Sequence, residues 1–233
     1  LKGLFSYGWK VFATSIISVT YDEIKPLIVG LKFTGADLAY YNKGKSFPAL
    51  LNSSISDTLA AVLFPVMSKY QDDKAAILSI TRRYMRVASY IVMPLMLGFL
   101  AVSKTFIRVL LTDKWLPSVP YVQLFCLSFL FYIIQTGNLQ AIRAIGRSDI
   151  LLKLEIIKKI YGPAILAISV FCFDSVFAIA AGMAVSGFLS SYVNASPNKK
   201  LIGYALRQAA NWASANFSTY HLSGPIPSAY FQN

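Results

Sequence analysis

A chain of 233 residues that is 56% hydrophobic and only 14% charged, with a mean hydropathy of +0.55, has too few polar side chains to cover a water-facing core. An average soluble domain is about 25% charged, so an ordinary soluble globule is excluded and lipid is the expected solvent. The formal net charge of +12 would point to nucleic acid in a soluble protein. Here long apolar runs separate the bases, which fits the loops of a membrane protein and no nucleic-acid partner.

Six segments approach the roughly 20 predominantly apolar residues that a bilayer crossing requires. They lie near 6–31, 45–68, 84–103, 117–142, 150–172 and 175–194. The first holds "TYDEIKPLIVG" at 20–30, with Asp22, Glu23 and Lys25 just before Pro26. On a helix Tyr21 and Lys25 share a face, and Glu23 lies about 100° round from Asp22. The second follows "YNKGKSFP" at 41–48, which carries Lys43 and Lys45. Its Gly-Lys-Ser is like part of a phosphate-binding loop, but the glycine needed five residues before Gly44 is Ala39 and no strand precedes it, so nucleotide binding is not expected. Residues 68–86 read as the only long polar connection.

The third segment has the uncharged core "VASYIVMPLMLGFLAVS". The fourth is the strongest, because 115–142 carries no charge, although Gln135, Thr136, Asn138, Gln140 and then Arg143 gather towards its end. In the fifth, Glu155 meets Lys158 and Lys159 at helical spacings of three and four. In the sixth, Ala178, Gly182, Ser186 and Ser190 recur every four residues and form one small-residue face for close helix packing. Charges weaken the first, second and fifth segments, so a hydropathy profile alone can pass over one of them. Pro26, Pro48, Pro65, Pro94 and Pro163 fall inside spans, where neighbouring helices re-satisfy the freed backbone groups, and Pro117 and Pro120 open the fourth.

If the segments alternate, one side receives thirteen Lys and Arg residues, among them Lys69, Lys74, Arg82, Arg83, Arg147 and Lys199. The other receives six: Lys32, Lys43, Lys45, Lys104, Arg108 and Lys114. The positive-inside rule then puts both ends in the cytoplasm. The start has neither an initiator Met nor a signal-peptide pattern, and reads as a piece of a longer protein. The six-span unit is expected over 1–204; residues 205–233 hold no run able to span and end rich in Gly, Pro and Ser, as in a poorly ordered tail.

His221 is the single histidine and lies in that tail, and Cys126 and Cys172 are isolated. No catalytic residue, metal site or cofactor is expected. What remains is charge within spans, where each centred ionisable group costs at least about 2.5–3.5 kcal/mol and so faces a partner or a wet cavity. The plain alternative is interhelical hydrogen bonding with snorkelling at helix ends. The sharper expectation is a hydrated cavity for a polar or anionic substrate. Asp22, Glu23 and Lys25 would line it, Lys43 and Lys45 would stand near its outer mouth, and Glu155, Lys158 and Lys159 would line it from the fifth segment. Its bases would meet phosphate, and its carboxylates a coupling cation.

"FSYGWKVFATSIISVTYDEIKPLIVGLKFTGADLAYYNKGKSFP", "LFPVMSKYQDDK", "DKWLPSVP", "GRSDILLKLEIIKK" and "NASPNKKLIGY" together resemble the Wzx-like polysaccharide flippases of the multidrug/oligosaccharidyl-lipid/polysaccharide superfamily, which include colanic acid and teichuronic acid exporters. The likeness covers about residues 1–204. It implies an all-α transmembrane bundle equivalent to the second, C-terminal lobe of a two-lobed transporter, with the N-terminal lobe missing here. It further implies a bacterial inner-membrane protein without enzyme chemistry that flips undecaprenyl-pyrophosphate-linked oligosaccharide by alternating access between lobes, in contact with membrane lipid and coupled to a proton or sodium ion. Two departures stand out: family members continue into further hydrophobic helices beyond Tyr204, and they tend to carry neutral polar residues at 22 and 23. Two rivals remain: a non-transporting fragment, and a membrane-embedded polysaccharide polymerase or glycosyltransferase, which the short outer loops disfavour.

Overall fold

The structure, a computed structural model, describes residues 2–203, with side chains from residue 8 onward except at 200. The tail expected at 205–233 lies outside the described residues. The elements are α1 (Lys2–Lys32), α2 (Gly35–Lys69), α3 (Lys74–Leu111), a 3₁₀ turn (Asp113–Ser118), α4 (Val119–Leu130), α5 (Tyr132–Ala144), α6 (Ser148–Cys172) and α7 (Val176–Leu201). With 113–144 counted as one unit, six helical units run up and down through a bundle, joined by short connections. This is an all-α transmembrane bundle, and among the described residues there is no strand.

Length and apolar composition alone qualify α2, α3, 113–144 and α7 as membrane-crossing. Helices α1 and α6, at 31 and 25 residues, are long enough, since about 20 residues suffice, but their hydroxyl and ionisable side chains keep them out of that set. Hydropathy therefore passes over two of the three weaker segments, and the second is retained.

The polar stretch 68–86, read as a connection, is almost entirely helical, and only 70–73 lies outside helices. Asp73 explains the difference: its carboxylate accepts from the Ala75 and Ala76 amides at 2.9 and 3.0 Å, capping α3 a full three turns before the apolar core begins. Ile77, Thr81, Tyr84, Met85 and Ala88 then return to one buried face at intervals of three and four. Helix α2 starts on a capping box, with the Asp37 amide donating to Thr34 Oγ1 at 3.2 Å and the Thr34 amide to the Asp37 carboxylate at 3.2 Å.

The fourth segment, expected as one span, breaks at Phe131. The Phe131 carbonyl accepts from Ser191 Oγ of α7 at 3.1 Å, and the Phe131 amide turns back to Ser128 O at 3.3 Å in a 3₁₀ step. A side chain entering the ladder is a recognised cause of such a kink. Pro26, Pro48, Pro65, Pro94 and Pro163 are all helix-internal, as is Pro197 of α7.

The larger apolar core joins α2, α3, α4 and α5 around Met67, Ile77, Val92, Met96 and Val122. A smaller one joins α1, α2, α4, α6 and α7 around Val29, Tyr41, Phe125, Leu166 and Ile179. Gly44, of the Gly-Lys-Ser stretch, sits within α2 where that helix crosses α4; a Cβ there would stand 2.4 Å from Tyr121 Cβ. Close helix approach therefore accounts for this glycine.

Candidate functional site: a charged intramembrane cavity

A cavity of about 490 Å³ lies between α1, α5, α6 and α7, and α2, α3 and α4 contribute nothing to its lining. Helix α1 presents Thr14, Ser18, Tyr21, Asp22 and Lys25, the residues that a helical period of 3.6 brings to one side. Thr14 Oγ1 donates to its own helix at Lys10 O, 2.7 Å away, which keeps a hydroxyl tolerable at this depth.

The charges form two clusters that meet at one ring. On α1, Lys25 Nζ is 2.5 Å from Asp22 Oδ1 and 4.3 Å from the Tyr21 ring centroid. On α6, Glu155, whose side chain is 5% exposed, is held by Lys158 Nζ at 2.5 Å and Lys159 Nζ at 3.1 Å. Lys159 Nζ reaches across to lie 4.0 Å from the same Tyr21 centroid. The ring end of Tyr21 rests on Gly162 of α6, where a Cβ would stand 2.6 Å from the hydroxyl oxygen. Two like-charged ammonium groups thus lie against one aromatic ring, whose quadrupole attracts both.

The small-residue face of α7 both packs and lines. A Cβ at Gly182 would meet Ser169 Oγ of α6 at 2.3 Å, and Ser190 Oγ pairs with Tyr161 Oη at 2.8 Å, while Gly182, Ser186 and Ser190 also border the cavity. Helix α5 is fixed to α7 by Gln135 Nε2, which donates to Gly187 O at 2.9 Å, and by Asn198 Nδ2, which donates to Asn138 Oδ1 at 2.6 Å. At the far end of α1, Lys32 donates to the Val170 carbonyl and pairs with Asp174 at 2.9 Å, closing α1 against the end of α6.

Of the expected site residues, Asp22, Lys25, Glu155, Lys158 and Lys159 come together on this cavity. Glu23 is exposed and outside the lining, since one residue of helical rotation turns it away from Asp22. Lys43 and Lys45 belong to α2 and are also outside the lining, with Lys43 Nζ 5.7 Å from the Trp115 ring. The lining adds Arg143, Gln135 and Tyr21. Arg143 and Gln135 were visible in sequence as the polar end of the fourth segment, and Tyr21 as a partner of Lys25, but nothing there brings them to the fifth segment.

Four basic side chains (Lys25, Arg143, Lys158, Lys159) face two acidic ones (Asp22, Glu155) across the lining, a formal excess of two positive charges. Such a cavity favours an anion, and its paired carboxylates limit the cost of keeping the lysines charged. Among the described residues, no group of three His, Cys, Asp or Glu side chains is placed to hold a metal. Outside the spans, at the entrance to α6, two hydrogen bonds from Arg147 hold the Asp149 carboxyl down to about 2.

A family model described as polysaccharide biosynthesis protein matches residues 1–120, just over half of the chain. An uncharacterized membrane protein in the cps region of Klebsiella pneumoniae is 28% identical over 197 residues, covering 84% of this chain and 39% of the relative. The teichuronic acid biosynthesis protein TuaB of Bacillus subtilis is 23% identical over 64% of this chain and 31% of the relative. The lipopolysaccharide biosynthesis protein WzxC of Escherichia coli is 26% identical over 69% of this chain and 33% of the relative. The chain therefore spans about a third of the length of these curated relatives. No solved structure matches it.

Proposed function

The chain belongs to the polysaccharide biosynthesis protein family, and from that premise we propose that it forms the C-terminal lobe of a flippase for polysaccharide export. Its substrate is an undecaprenyl-pyrophosphate-linked oligosaccharide, moved across the bacterial inner membrane with both ends of this six-span unit, 1–204, in the cytoplasm. An N-terminal lobe supplies the opposite wall, and rocking of one lobe against the other alternates access. The protein performs no covalent chemistry in this reading; it lowers the cost of bringing a charged headgroup through hydrocarbon.

The observation that carries the reading is the cavity between α1, α5, α6 and α7 with its excess of basic side chains. Lys25, Lys158, Lys159 and Arg143 offer donors to phosphate oxygens, and charge-assisted bonds of this kind are about twice as strong as neutral ones. Asp22 pairs with Lys25 and Glu155 with Lys158 and Lys159 on the cavity wall, and these carboxylates are the groups on which a coupling proton or sodium ion would act. Serine and glutamine side chains along the wall suit sugar hydroxyls.

Replacing Lys25 with Ala in the intact protein is expected to abolish export, measured as surface polysaccharide in cells, with the amount of folded membrane protein unchanged. Unaltered export would remove Lys25 from the mechanism.

A further inference from the structure

Tyr21 touches both basic clusters. Lys25 arrives from one turn along α1 and Lys159 from α6, and both ammonium groups lie within 4.3 Å of its ring centroid. Each ammonium has three donors. A carboxylate engages each, Asp22 for Lys25 and Glu155 for Lys159, and the ring then holds the charge by its π face. Donors remain on both ammonium groups for a third partner, and both groups lie against the same ring. The ring is itself fixed, because the missing side chain at Gly162 lets its hydroxyl end seat against α6.

We propose that Tyr21 is a positioning residue that presents Lys25 and Lys159 together to a single anionic group of the phosphate or diphosphate class entering the cavity. The inference rests on the reading of this cavity as an anion site. Removing the aromatic face leaves two ammonium groups to repel each other and separate. The site then loses its two-point grip although every charge is still present.

The test uses the intact protein in lipid nanodiscs, with inorganic pyrophosphate and, separately, inorganic phosphate as probes, and affinity read by equilibrium binding. Lys25→Ala and Lys159→Ala are each expected to weaken pyrophosphate binding at least tenfold. Tyr21→Leu is expected to weaken it five- to tenfold, and Tyr21→Phe, which keeps the ring, to recover most of that loss. In a Lys25→Ala/Lys159→Ala background, Tyr21→Leu should have no further effect, an outcome that a merely structural role would not give. Gly162→Ala supplies an independent variant. Its new methyl group displaces the Tyr21 hydroxyl and should lower affinity, and Tyr21→Phe should relieve that loss.

If the lysine variants lose binding while Tyr21→Leu and Gly162→Ala keep it, the role of Tyr21 is overturned and the anion site stands. If the wild-type protein does not bind pyrophosphate, or all variants bind it equally, the anion site falls and Tyr21 with it. A larger loss with pyrophosphate than with phosphate supports a diphosphate as the natural group, and equal losses support a single phosphate.

Discussion

The two sides of this bundle are stabilised differently. In the block formed by α2, α3, α4 and α5, Met67, Ile77, Val92 and Met96 are fully buried, and the buried polar side chains, such as Asn52, Ser56 and Thr81, are uncharged. The wall formed by α1 and α6 has a smaller apolar core around Val29 and Leu166. It adds ion pairs within each helix, Asp22–Lys25 and Glu155–Lys158–Lys159, with the Tyr21–Lys159 contact and the Lys32–Asp174 clasp between the helices. Hydropathy finds three of the units that build the first block and neither helix of the wall. In a membrane, the helices that look least able to cross are the ones that line the polar path, because a charge there persists only with a partner or a wet cavity beside it. Weak hydropathy in α1 and α6 is thus a pointer to the site.

The sharpest way to break this comparison is a cavity cut into the apolar block. Met96→Ala removes a fully buried side chain. In water such a truncation costs about 2–5 kcal/mol. In lipid the transfer part largely vanishes, because the unfolded reference is also apolar, and the loss of packing remains. A destabilisation of about 2 kcal/mol is expected, read as a lower melting temperature in detergent, with export per folded molecule unchanged. If export falls further than the amount of folded protein does, the block and the charged wall are mechanically coupled, and the division drawn between them fails.

The sequence made the architecture legible to a different depth in each region. Apolar run length marks four of the helical units, and α1 and α6 are recognised only when the charges within them are read through. The ion partners within α1 and α6 follow from spacing, since Asp22–Lys25 and Glu155–Lys158–Lys159 are three- and four-residue pairs that any helix brings together. Partners on different helices are not legible in this way. That Lys159 reaches Tyr21, and that Arg143 borders the same cavity, depends on how α5 and α6 rotate about their axes, which packing decides. The placement of Glu23 outside the lining is the same lesson in reverse, because adjacent residues on a helix face different surroundings. The break at Phe131 was also hidden, because the donor that permits it, Ser191, lies 60 residues away.

That break offers a smaller test at the seam between the two regions. Ser191 Oγ shares its one proton between Phe131 O and Gly187 O, both at 3.1 Å. Ser191→Ala leaves the Phe131 carbonyl without its partner from α7. The expected cost is about 1 kcal/mol, the usual net worth of one hydrogen bond. Hydrogen exchange should rise at the amides from 131 to 135, where the Gln135 amide is already 3.4 Å from Phe131 O, and stay unchanged in α3. Equal exchange in variant and wild type would mean that the kink is set by the packing of Phe131 on Phe188 rather than by the serine.

The smallest effect is expected where charge meets water. Arg147 and Asp149 form a two-point pair at 2.9 Å where the short connection enters the first turn of α6, both outside the apolar part of the span. Hydrogen bonding from Arg147 holds the Asp149 carboxyl at about 2, below the ordinary aspartate value of about 3.9. A carboxyl lowered in this way stabilises the folded state at pH values above its ordinary value, and the contribution fades as pH falls from about 4 towards 2. Asp149→Asn should therefore lower the melting temperature slightly at pH 7, by less than either substitution above, because an exposed pair is screened by solvent. The gap between variant and wild type should close as the pH is taken down to about 2. Glu155 lacks this exposure, so Glu155→Gln, which leaves Lys158 and Lys159 without their carboxylate inside the bundle, should cost more at pH 7 than Asp149→Asn. If the two substitutions cost the same, the charged wall behaves as a water-facing surface, and the contrast between it and the loop ends disappears.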